Sequence, residues 1–246
     1  MTTITAVRRD AAAIWSPPAA PAVGLPPAIA PALTPESFAA SAGVSRLYEP
    51  LKRAMDVVIA PLLLIVLSPL IVVVALAIKL TSRGGVLFRQ LRVGKDGRPF
   101  IMYKFRTMRI GAERDRQVLA HLNQMRGSPV FKIPQDPRIT RLGRLLRRTS
   151  IDELPQLFNV LAGQMSLVGP RPLWMPEAQE AGVVSRLRAA VKPGLTCLWQ
   201  ISGRSELSYD QWVRLDLYYI QHRGALLDLL IMAQTAPAVL SGKGAY

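Results

Sequence analysis

The strongest constraint on this chain is a run of 22 residues, Val57 to Ile78, that contains no charged side chain. As a straight helix the run would extend roughly 33 Å, about the hydrocarbon thickness of a bilayer. Ser68-Pro69 falls near its middle, where a proline removes a backbone hydrogen bond and kinks a helix. The run therefore predicts a membrane helix that bends near Ser68-Pro69, with two halves that are each too short to span a bilayer.

Basic residues on both sides of the run bear on how the helix enters a membrane. They are Arg46, Lys52 and Arg53 before the run and Lys79, Arg83, Arg89 and Arg92 after it. Basic flanks prefer the cytoplasmic side, and both flanks can lie there only if the segment enters and leaves by the same face. The sequence favours a re-entrant helix over 46–83; a true span and a buried helix of a soluble core stay open as alternatives.

The rest of the chain divides into a tail and one domain. Residues 1–45 are rich in alanine and proline without a long apolar run, which predicts a disordered tail and not a signal peptide. Residues 84–246 predict a small catalytic domain that is mainly α with short β elements (α+β), with amphipathic helices at the membrane interface. Two strands should flank a turn at 95–97, and helices are expected at 109–126, 138–148, 152–162, 176–190, 207–222 and 225–240.

Charge and composition narrow the chemistry. The net charge is +15, and residues 1–50 contribute none of it, so the whole basic excess lies in 51–246. Such a field attracts nucleic acid, anionic lipid or a phosphate-bearing substrate. With one cysteine and two histidines, the chain offers little for a thiolate or histidine metal site or a Ser-His-Asp triad. Any metal is expected to be a hard cation that prefers oxygen.

Two adjacent carboxylates, Asp152 and Glu153, follow the arginine-rich stretch "RLGRLLRRT". Ser150-x-x-Glu153 fits a capping box, which would make both acids part of a helix start. The same position, at the positive end of a helix, would also keep Asp152 ionised as a nucleophile toward phosphorus. The two interpretations stay open at this level.

Single basic residues recur where loops or strand faces could present them to an anion. Arg171 lies in the stiff loop "SLVGPRP", Arg204 ends "PGLTCLWQISGR", and Lys104 lies in "YKFRTM". In 138–148 the leucines predict one helix face and the arginines, with Arg147 among them, predict the other. Asp216 and Asp228 could each belong to a helix surface or to the site.

These stretches together resemble the bacterial sugar transferase family, the small monotopic phosphoglycosyl transferases. The resemblance covers about 52–246 and rests on "KRAMDVVIA", "FRQLRVGKDGRPFIMYKFRTM", "DPRITRLGRLLRRTSIDELPQLFNVLAGQMSLVGPRP", "PGLTCLWQISGR" and the terminal "GAY". It implies transfer of a hexose-1-phosphate from a UDP-sugar to a polyprenyl phosphate at the bacterial inner membrane, with release of UMP. The catalytic domain would lie on the cytoplasmic face, in contact with membrane lipid, and the shortness of the chain resembles members that serve exopolysaccharide synthesis.

The resemblance also implies roles for residues. Asp152 would be the nucleophile of a ping-pong reaction, and Glu153 would help to hold Mg²⁺ at the diphosphate. Lys104, Arg147, Arg171 and Arg204 would lie around the phosphates and nucleotide, and Asp228 would be a further acid of the site. Gln164 and Cys197 depart from the family pattern, where an acid and a glycine are usual.

Two other functions are kept as alternatives. A scaffold for polysaccharide assembly that has lost catalysis finds support in Gln164 alone. A membrane-anchored binder of nucleic acid is compatible with the charge, but no recognised nucleic-acid motif is present, so no nucleic-acid partner is expected. A second copy of the chain is a further candidate partner.

Overall fold

A computed structural model describes residues 47–125, 127–242 and 244. The predicted tail over 1–45 lies outside the described residues. Within them the fold is α+β, with eight α-helices and five short 3-10 turns around two two-stranded sheets.

Helix α1 (Tyr48–Thr81) contains the uncharged run and continues through Pro61 and Pro69. Pro69 has no N–H to offer the carbonyl four residues earlier, that of Ile65. The Ser68 hydroxyl donates to this same carbonyl at 2.8 Å, so the acceptor that proline leaves is satisfied within the helix. The helical structure therefore has no gap at Ser68-Pro69, and whether the helix re-enters a membrane stays a prediction.

Both halves of α1 pack against the folded domain. Ala60 belongs to the main core, whereas Val74 and Ile78 belong to a smaller core with Phe105 and Leu146. Among the described residues, α1 is the one helix long and apolar enough to cross a membrane, and only 11% of its most apolar 18-residue stretch is buried. This exposure disfavours the interpretation as the core helix of a soluble protein, which would be mostly buried.

Three polar residues near the start of α1 bind three different parts of the domain. Lys52 forms an ion pair with Asp228 at 2.7 Å. The Arg53 guanidinium donates to the carbonyls of residues 160 and 161, each at 2.8 Å. Asp56 accepts from the hydroxyl of Ser166 at 3.0 Å and from the next backbone N–H at 2.9 Å. These contacts fix the direction in which the apolar helix leaves the domain.

The predicted hairpin is present. Strands β1 (Leu87–Val93) and β2 (Pro99–Phe105) pair antiparallel. The turn at 95–97 is a 3-10 turn in which Asp96 has a φ of 57°, a left-handed conformation that Asp tolerates better than most residues.

The remaining elements follow the hairpin in chain order. They are α2 (Arg141–Arg148), α3 (Gln156–Leu161), β3 (Ser166–Val168), α4 (Met175–Ala181), α5 (Val183–Arg188), β4 (Gly194–Thr196), α6 (Leu198–Ile201), α7 (Tyr209–His222) and α8 (Ala225–Ser241). The last two helices confirm the predictions over 207–222 and 225–240. Strands β3 and β4 pair parallel, next to the loop that carries Arg171.

Other helix predictions were wrong in extent. Of the predicted helix over 109–126, the described part, 109–125, forms only short 3-10 turns at Arg114–Arg116 and Val118–Leu122. The predicted helix over 176–190 is divided into α4 and α5 by Gly182, which has a φ of 53°. In α2, Leu146 is buried but Leu145 is 57% exposed, so the leucines do not share one buried face.

Helix α2 lies so close to the chain after β2 that a glycine is required at the contact. A Cβ atom added to Gly143 would lie 2.0 Å from the carbonyl oxygen of Thr107. Thr107 also accepts the Thr140 N–H at 3.0 Å, and its hydroxyl accepts from Arg147 Nε at 2.9 Å. The close approach therefore places Arg147 relative to β2.

We expect Gly143→Ala to lower the free energy of unfolding by about 1–3 kcal/mol, because the added methyl group overpacks a backbone contact. Helix propensity alone would favour alanine by about 1 kcal/mol, so the sign of the change separates packing from propensity. Thermal unfolding in detergent measures it. Gly85→Ala is the control, because its Cβ would have ordinary contacts; a stabilised Gly143→Ala variant would contradict the close packing.

Candidate active site

One cavity of about 650 Å³ opens between the hairpin, α2 and the loops around residues 171 and 204. Eleven basic and five acidic side chains line it, so its field favours an anion. Six of the seven residues predicted for the site lie in its wall: Lys104, Arg147, Asp152, Glu153, Arg171 and Arg204. These six residues are spread along the sequence from Lys104 to Arg204, and the fold brings them together.

Asp152 and Glu153 lie in a 3-10 turn (Ile151–Glu153) between α2 and α3. The preceding Ser150 is left-handed, with a φ of 54°, and its side chain makes no cap. The capping-box interpretation was therefore wrong, and α3 begins only at Gln156. The Ser150 hydroxyl instead accepts a hydrogen bond from Arg204, which is also left-handed. Two strained residues thus meet beside the carboxylates, a feature often found at functional sites.

The two carboxyl groups differ in their pKa. Burial raises the pKa of Asp152 to about 6, while Lys104 and Arg147 oppose the rise and the Glu153 charge adds to it. Burial also disfavours the charged form of Glu153, but Lys104, with Arg171 and Arg204, outweighs it and lowers the pKa of Glu153. Lys104 Nζ lies 2.5 Å from Glu153 Oε1. Glu153 is thus held as a carboxylate, and Asp152 ionises near neutral pH.

Two arginines of the cavity wall interact with other residues that line it. Burial lowers the pKa of Arg147, and Asp152 and Asp136 oppose that change. Arg171 lies 5.9 Å and 5.8 Å from the ring centroids of Trp199 and Trp212. These two rings stack with centroids 4.7 Å apart, and a cation over an aromatic face is stabilised by the ring quadrupole.

Arg204 keeps a donor for a ligand. Its Nη1 is buried without a hydrogen-bond partner among the described residues, and burial lowers the pKa of its guanidinium while Glu153 and Asp152 oppose that change. A buried, unpaired donor in a cavity wall is costly unless a ligand accepts from it.

Asp228, the seventh predicted residue, is not in the cavity wall. It is buried at the start of α8 and accepts hydrogen bonds from Tyr48 Oη at 2.9 Å and Tyr219 Oη at 2.8 Å, besides its ion pair with Lys52. These contacts connect α8 with α1 and α7. The structure therefore places Asp228 where α1 is attached to the domain, apart from the other six residues.

Sequence reasoning did not single out several residues of the cavity wall. Asp136 and Arg138 form a buried ion pair of 2.6 Å, and Arg92 lies 3.6 Å from Glu177. Arg116 stacks on Trp174 with 4.2 Å between its guanidinium carbon and the ring centroid. The sequence signal was weak: Arg92 and Glu177 are far apart along the chain, and the nearness of Asp136 to Arg138 does not by itself show that the pair is buried in a cavity wall.

The two departures from the family pattern have structural roles here. Gln164 accepts from the Asn159 amide at 2.7 Å, and Asn159 in turn bonds to the backbone of β2 at Ile101 and Tyr103. Cys197 is buried, 3% exposed, and burial raises the pKa of its thiol. Neither residue contacts Asp152 or Glu153 in the hydrogen bonds of the described residues.

A metal would find few protein ligands in this part of the chain. The described residues contain no group of three or more His, Cys, Asp or Glu that could hold a metal ion. The donors that do exist, two adjacent carboxylates facing a basic cavity, suit Mg²⁺ when substrate phosphates and water supply the other ligands. The residues therefore fit a metal that arrives with a phosphate substrate and do not fit a resident metal cage.

Comparison with known proteins places the chain in a family. The family model described as "Bacterial sugar transferase" matches residues 47–242 of this chain. The chain belongs to the bacterial sugar transferase family. The exopolysaccharide production protein ExoY of Sinorhizobium fredii is 40% identical over 198 residues, which are 79% of this chain and 88% of that protein.

Longer relatives match over a part of their length. The undecaprenyl-phosphate galactose phosphotransferase of Salmonella typhimurium is 42% identical over 200 residues, 80% of this chain and 42% of that protein. The UDP-glucose:undecaprenyl-phosphate glucose-1-phosphate transferase of Escherichia coli is 42% identical over 212 residues, 83% of this chain and 42% of that protein. The chain thus spans less than half of these two relatives.

The raised pKa of Asp152 predicts that its ionised carboxylate destabilises the folded state. Because the folded-state pKa of Asp152, about 6, lies above the ordinary aspartate value of 3.8, the folded state binds the proton more tightly than the unfolded state. Stability should therefore be lower above pH 6 and recover as the pH falls toward 4. We expect Asp152→Asn to raise the free energy of unfolding by about 1–3 kcal/mol at pH 8 and by much less at pH 4.5.

Thermal unfolding at the two pH values measures this difference. Asp136→Asn is the matched control, because hydrogen bonds from Arg138 outweigh burial and lower the pKa of Asp136, so its removal should destabilise at pH 8. If Asp152→Asn were also destabilised at pH 8, the assignment of a strained carboxylate would be wrong.

Proposed function

We propose that this protein transfers a hexose-1-phosphate from a UDP-sugar to a polyprenyl phosphate and releases UMP, as the first membrane step of exopolysaccharide synthesis. The observation that carries the proposal is the meeting of Asp152 and Glu153 with Lys104, Arg147, Arg171 and Arg204 around one cavity. The names of the Salmonella and Escherichia coli relatives support this class of reaction, the transfer of a sugar phosphate to undecaprenyl phosphate. They name galactose and glucose respectively, so the hexose is left open.

The proposed chemistry has two displacements at phosphorus. An Asp152 carboxylate oxygen attacks the sugar-proximal phosphorus, forming an O–P bond while the P–O bond to UMP breaks. An oxygen of the polyprenyl phosphate then attacks the same phosphorus, and Asp152 leaves as a carboxylate. A carboxylate with a pKa of about 6 is mostly ionised at pH 7–8 and so able to attack, while the acyl-phosphate that it forms is reactive enough to pass its group on.

The cations supply the charge neutralisation that phosphoryl transfer needs. Arg171 and Arg204 line the cavity from different loops, so a diphosphate beside Asp152 would be close to both. Arg204 Nη1, which has no partner in the described structure, is suited to donate to a phosphate oxygen. Lys104 would keep Glu153 ionised through their 2.5 Å contact.

Glu153 would hold Mg²⁺ together with the substrate diphosphate. When bound, the ion would neutralise charge on the phosphate oxygens as the bond to UMP breaks. The role of this chain is to keep the Glu153 carboxylate ionised and next to the nucleophile, which Lys104 and the short turn at 151–153 accomplish.

The protein would bind the polyprenyl phosphate at the membrane surface, on the cytoplasmic face. Exposed apolar side chains outside α1 suit contact with lipid, among them Leu145, Phe158, Leu226, Leu229 and Leu230. Both ends of α1 contact the same domain, since Lys52 pairs with Asp228 and Ser82 bonds with Arg106. This supports a helix that enters and leaves the membrane on one side.

The rival functions find less support. An inactive scaffold would not need the raised pKa of Asp152 or the unpaired donor of Arg204. A nucleic-acid binder would present its basic side chains on an open surface, whereas these line a cavity with carboxylates at one end.

We expect wild-type protein, Mg²⁺ and polyprenyl phosphate to release UMP from one or a few members of a UDP-hexose panel. Asp152→Asn should lower release by at least about 10⁴-fold, because no nucleophile remains. Intact-mass measurement without the acceptor should find the phospho-sugar on the wild type only. Near-normal UMP release by the variant would exclude Asp152 as nucleophile, and no release or adduct with any UDP-sugar would favour the scaffold.

For topology, we expect cysteines introduced at Leu47 and Gly85 to react with a membrane-impermeant maleimide from the same side of sealed vesicles. Both positions are exposed and flank α1. The wild type is the unlabelled control, because its single cysteine, Cys197, is buried. Labelling from opposite sides would mean that α1 spans the membrane.

A further inference from the structure

We propose that the ion pair of Arg188 and Asp216, which lies outside the cavity wall, positions Arg171 for the substrate diphosphate. The inference rests on the proposed function for its kinetic test, although the contacts that carry it do not depend on that function. Arg188 ends α5 and Asp216 lies within α7. Neither residue lines the cavity, so neither is expected to touch the substrate.

The ion pair holds the backbone of Arg171. Arg188 Nη2 donates to the Arg171 carbonyl at 3.2 Å and lies 2.5 Å from Asp216 Oδ2. The side chains are 4% and 1% exposed, so water does not compete for these contacts. Asp216 therefore orients the guanidinium that fixes the carbonyl of a cavity residue.

Helix α7 also contacts the side chain of Arg171, through Trp212. Trp212 and Asp216 are four residues apart on α7, so both project from one side of the helix. The Trp212 ring, stacked with Trp199, lies beside the Arg171 guanidinium, and the Trp212 Nε1–H donates to the Arg204 carbonyl at 3.2 Å. A single helix thus sets the backbone of Arg171, the side chain of Arg171 and the backbone of Arg204.

Further hydrogen bonds hold the loop that carries Arg171. The Gly169 N–H donates to the Thr196 carbonyl at 3.0 Å, and the Gly194 N–H donates to the Pro170 carbonyl at 2.9 Å. Arg92 Nη1 donates to the Pro172 carbonyl at 3.0 Å, so two buried arginines bind two successive carbonyls. Arg92 itself lines the cavity, whereas Arg188 does not, which makes Arg188 the residue that separates positioning from direct contact.

A buried ion pair gives little net stability, because desolvation offsets most of the attraction, but it fixes geometry strongly. A displacement of about 1 Å in a substrate-positioning group costs on the order of 100-fold in rate. Removing one partner also leaves the other charge buried and uncompensated, which destabilises the fold, so each variant is compared on transfer under conditions in which it is folded.

The test is a double-mutant cycle on UMP release. Asp216→Asn and Arg188→Lys should each lower kcat/KM by about 10- to 100-fold, since lysine keeps the charge but is one bond shorter than Nη2 requires. In an Arg171→Ala background, the same substitutions should cost less than about 2-fold, because the group that they position is gone. Full, additive losses in that background, or wild-type activity of both single variants, would overturn the proposal.

A second readout is independent of the reaction. Amide hydrogen exchange at Gly194 and at Val93, whose N–H groups bond to Pro170 and Leu173, should quicken in both variants while the paired amides of β1 and β2 keep their protection. Glu49→Gln, which removes the exposed partner of Arg223, should leave exchange and activity unchanged. Unchanged exchange at Gly194 and Val93 in folded variants would also overturn the proposal.

The two readouts separate the possible failures. If the wild type released no UMP while the exchange result held, the proposed function would fail and the positioning of the loop would stand. If Asp216→Asn did not fold, Arg188→Lys would carry both measurements.

Discussion

Two adjacent carboxylates in the wall of one cavity, Asp152 buried and Glu153 partly exposed, repel each other, and the surrounding structure depends on relieving that repulsion. Lys104 lies against Glu153 and favours the ionised form of both acids. Without such a cation, burial and mutual repulsion would protonate at least one of them near neutral pH. The hairpin that carries Lys104 and the turn that carries the acids must therefore meet within hydrogen-bonding distance, which explains why α2 packs so tightly against the chain that leaves β2.

Pairing of opposite charges also occurs behind the cavity. Arg171 and Arg204 are among the cations that line the cavity, whereas Arg188 lies outside its wall, pairs with Asp216 and donates to the Arg171 carbonyl. Burying an arginine without a partner is costly. Arg92, Arg138 and Arg188 each pair with a carboxylate, whereas the buried Arg204 side chain has only the Ser150 hydroxyl as a partner within the described residues. The cavity thus keeps its unpaired cationic donors for a ligand, and the framework beneath keeps its charges neutralised.

The apolar helix is attached by polar chemistry. Lys52, Arg53 and Asp56 bind α8, the end of α3 and β3, within two turns of the start of α1. A helix fixed at such a polar base, with most of its apolar stretch exposed, can hold the domain at a fixed height against a lipid surface. Asp228 belongs to this base, which accounts for its burial away from the other residues predicted for the site.

The sequence by itself determined the features that depend on local order: the uncharged run of α1, the hairpin around 95–97, the long helices α7 and α8, and the adjacency of Asp152 and Glu153. It also identified six residues of the cavity, because their motifs resemble a known family. It did not determine the extent of 109–126 or the start of α3, since tertiary contacts there override helix propensity and Ser150 bonds with Arg204 and makes no cap. Only the tertiary structure decided which charges pair, because residues such as Arg188 and Asp216 meet through the packing of α5 on α7, and no spacing along the chain encodes that contact.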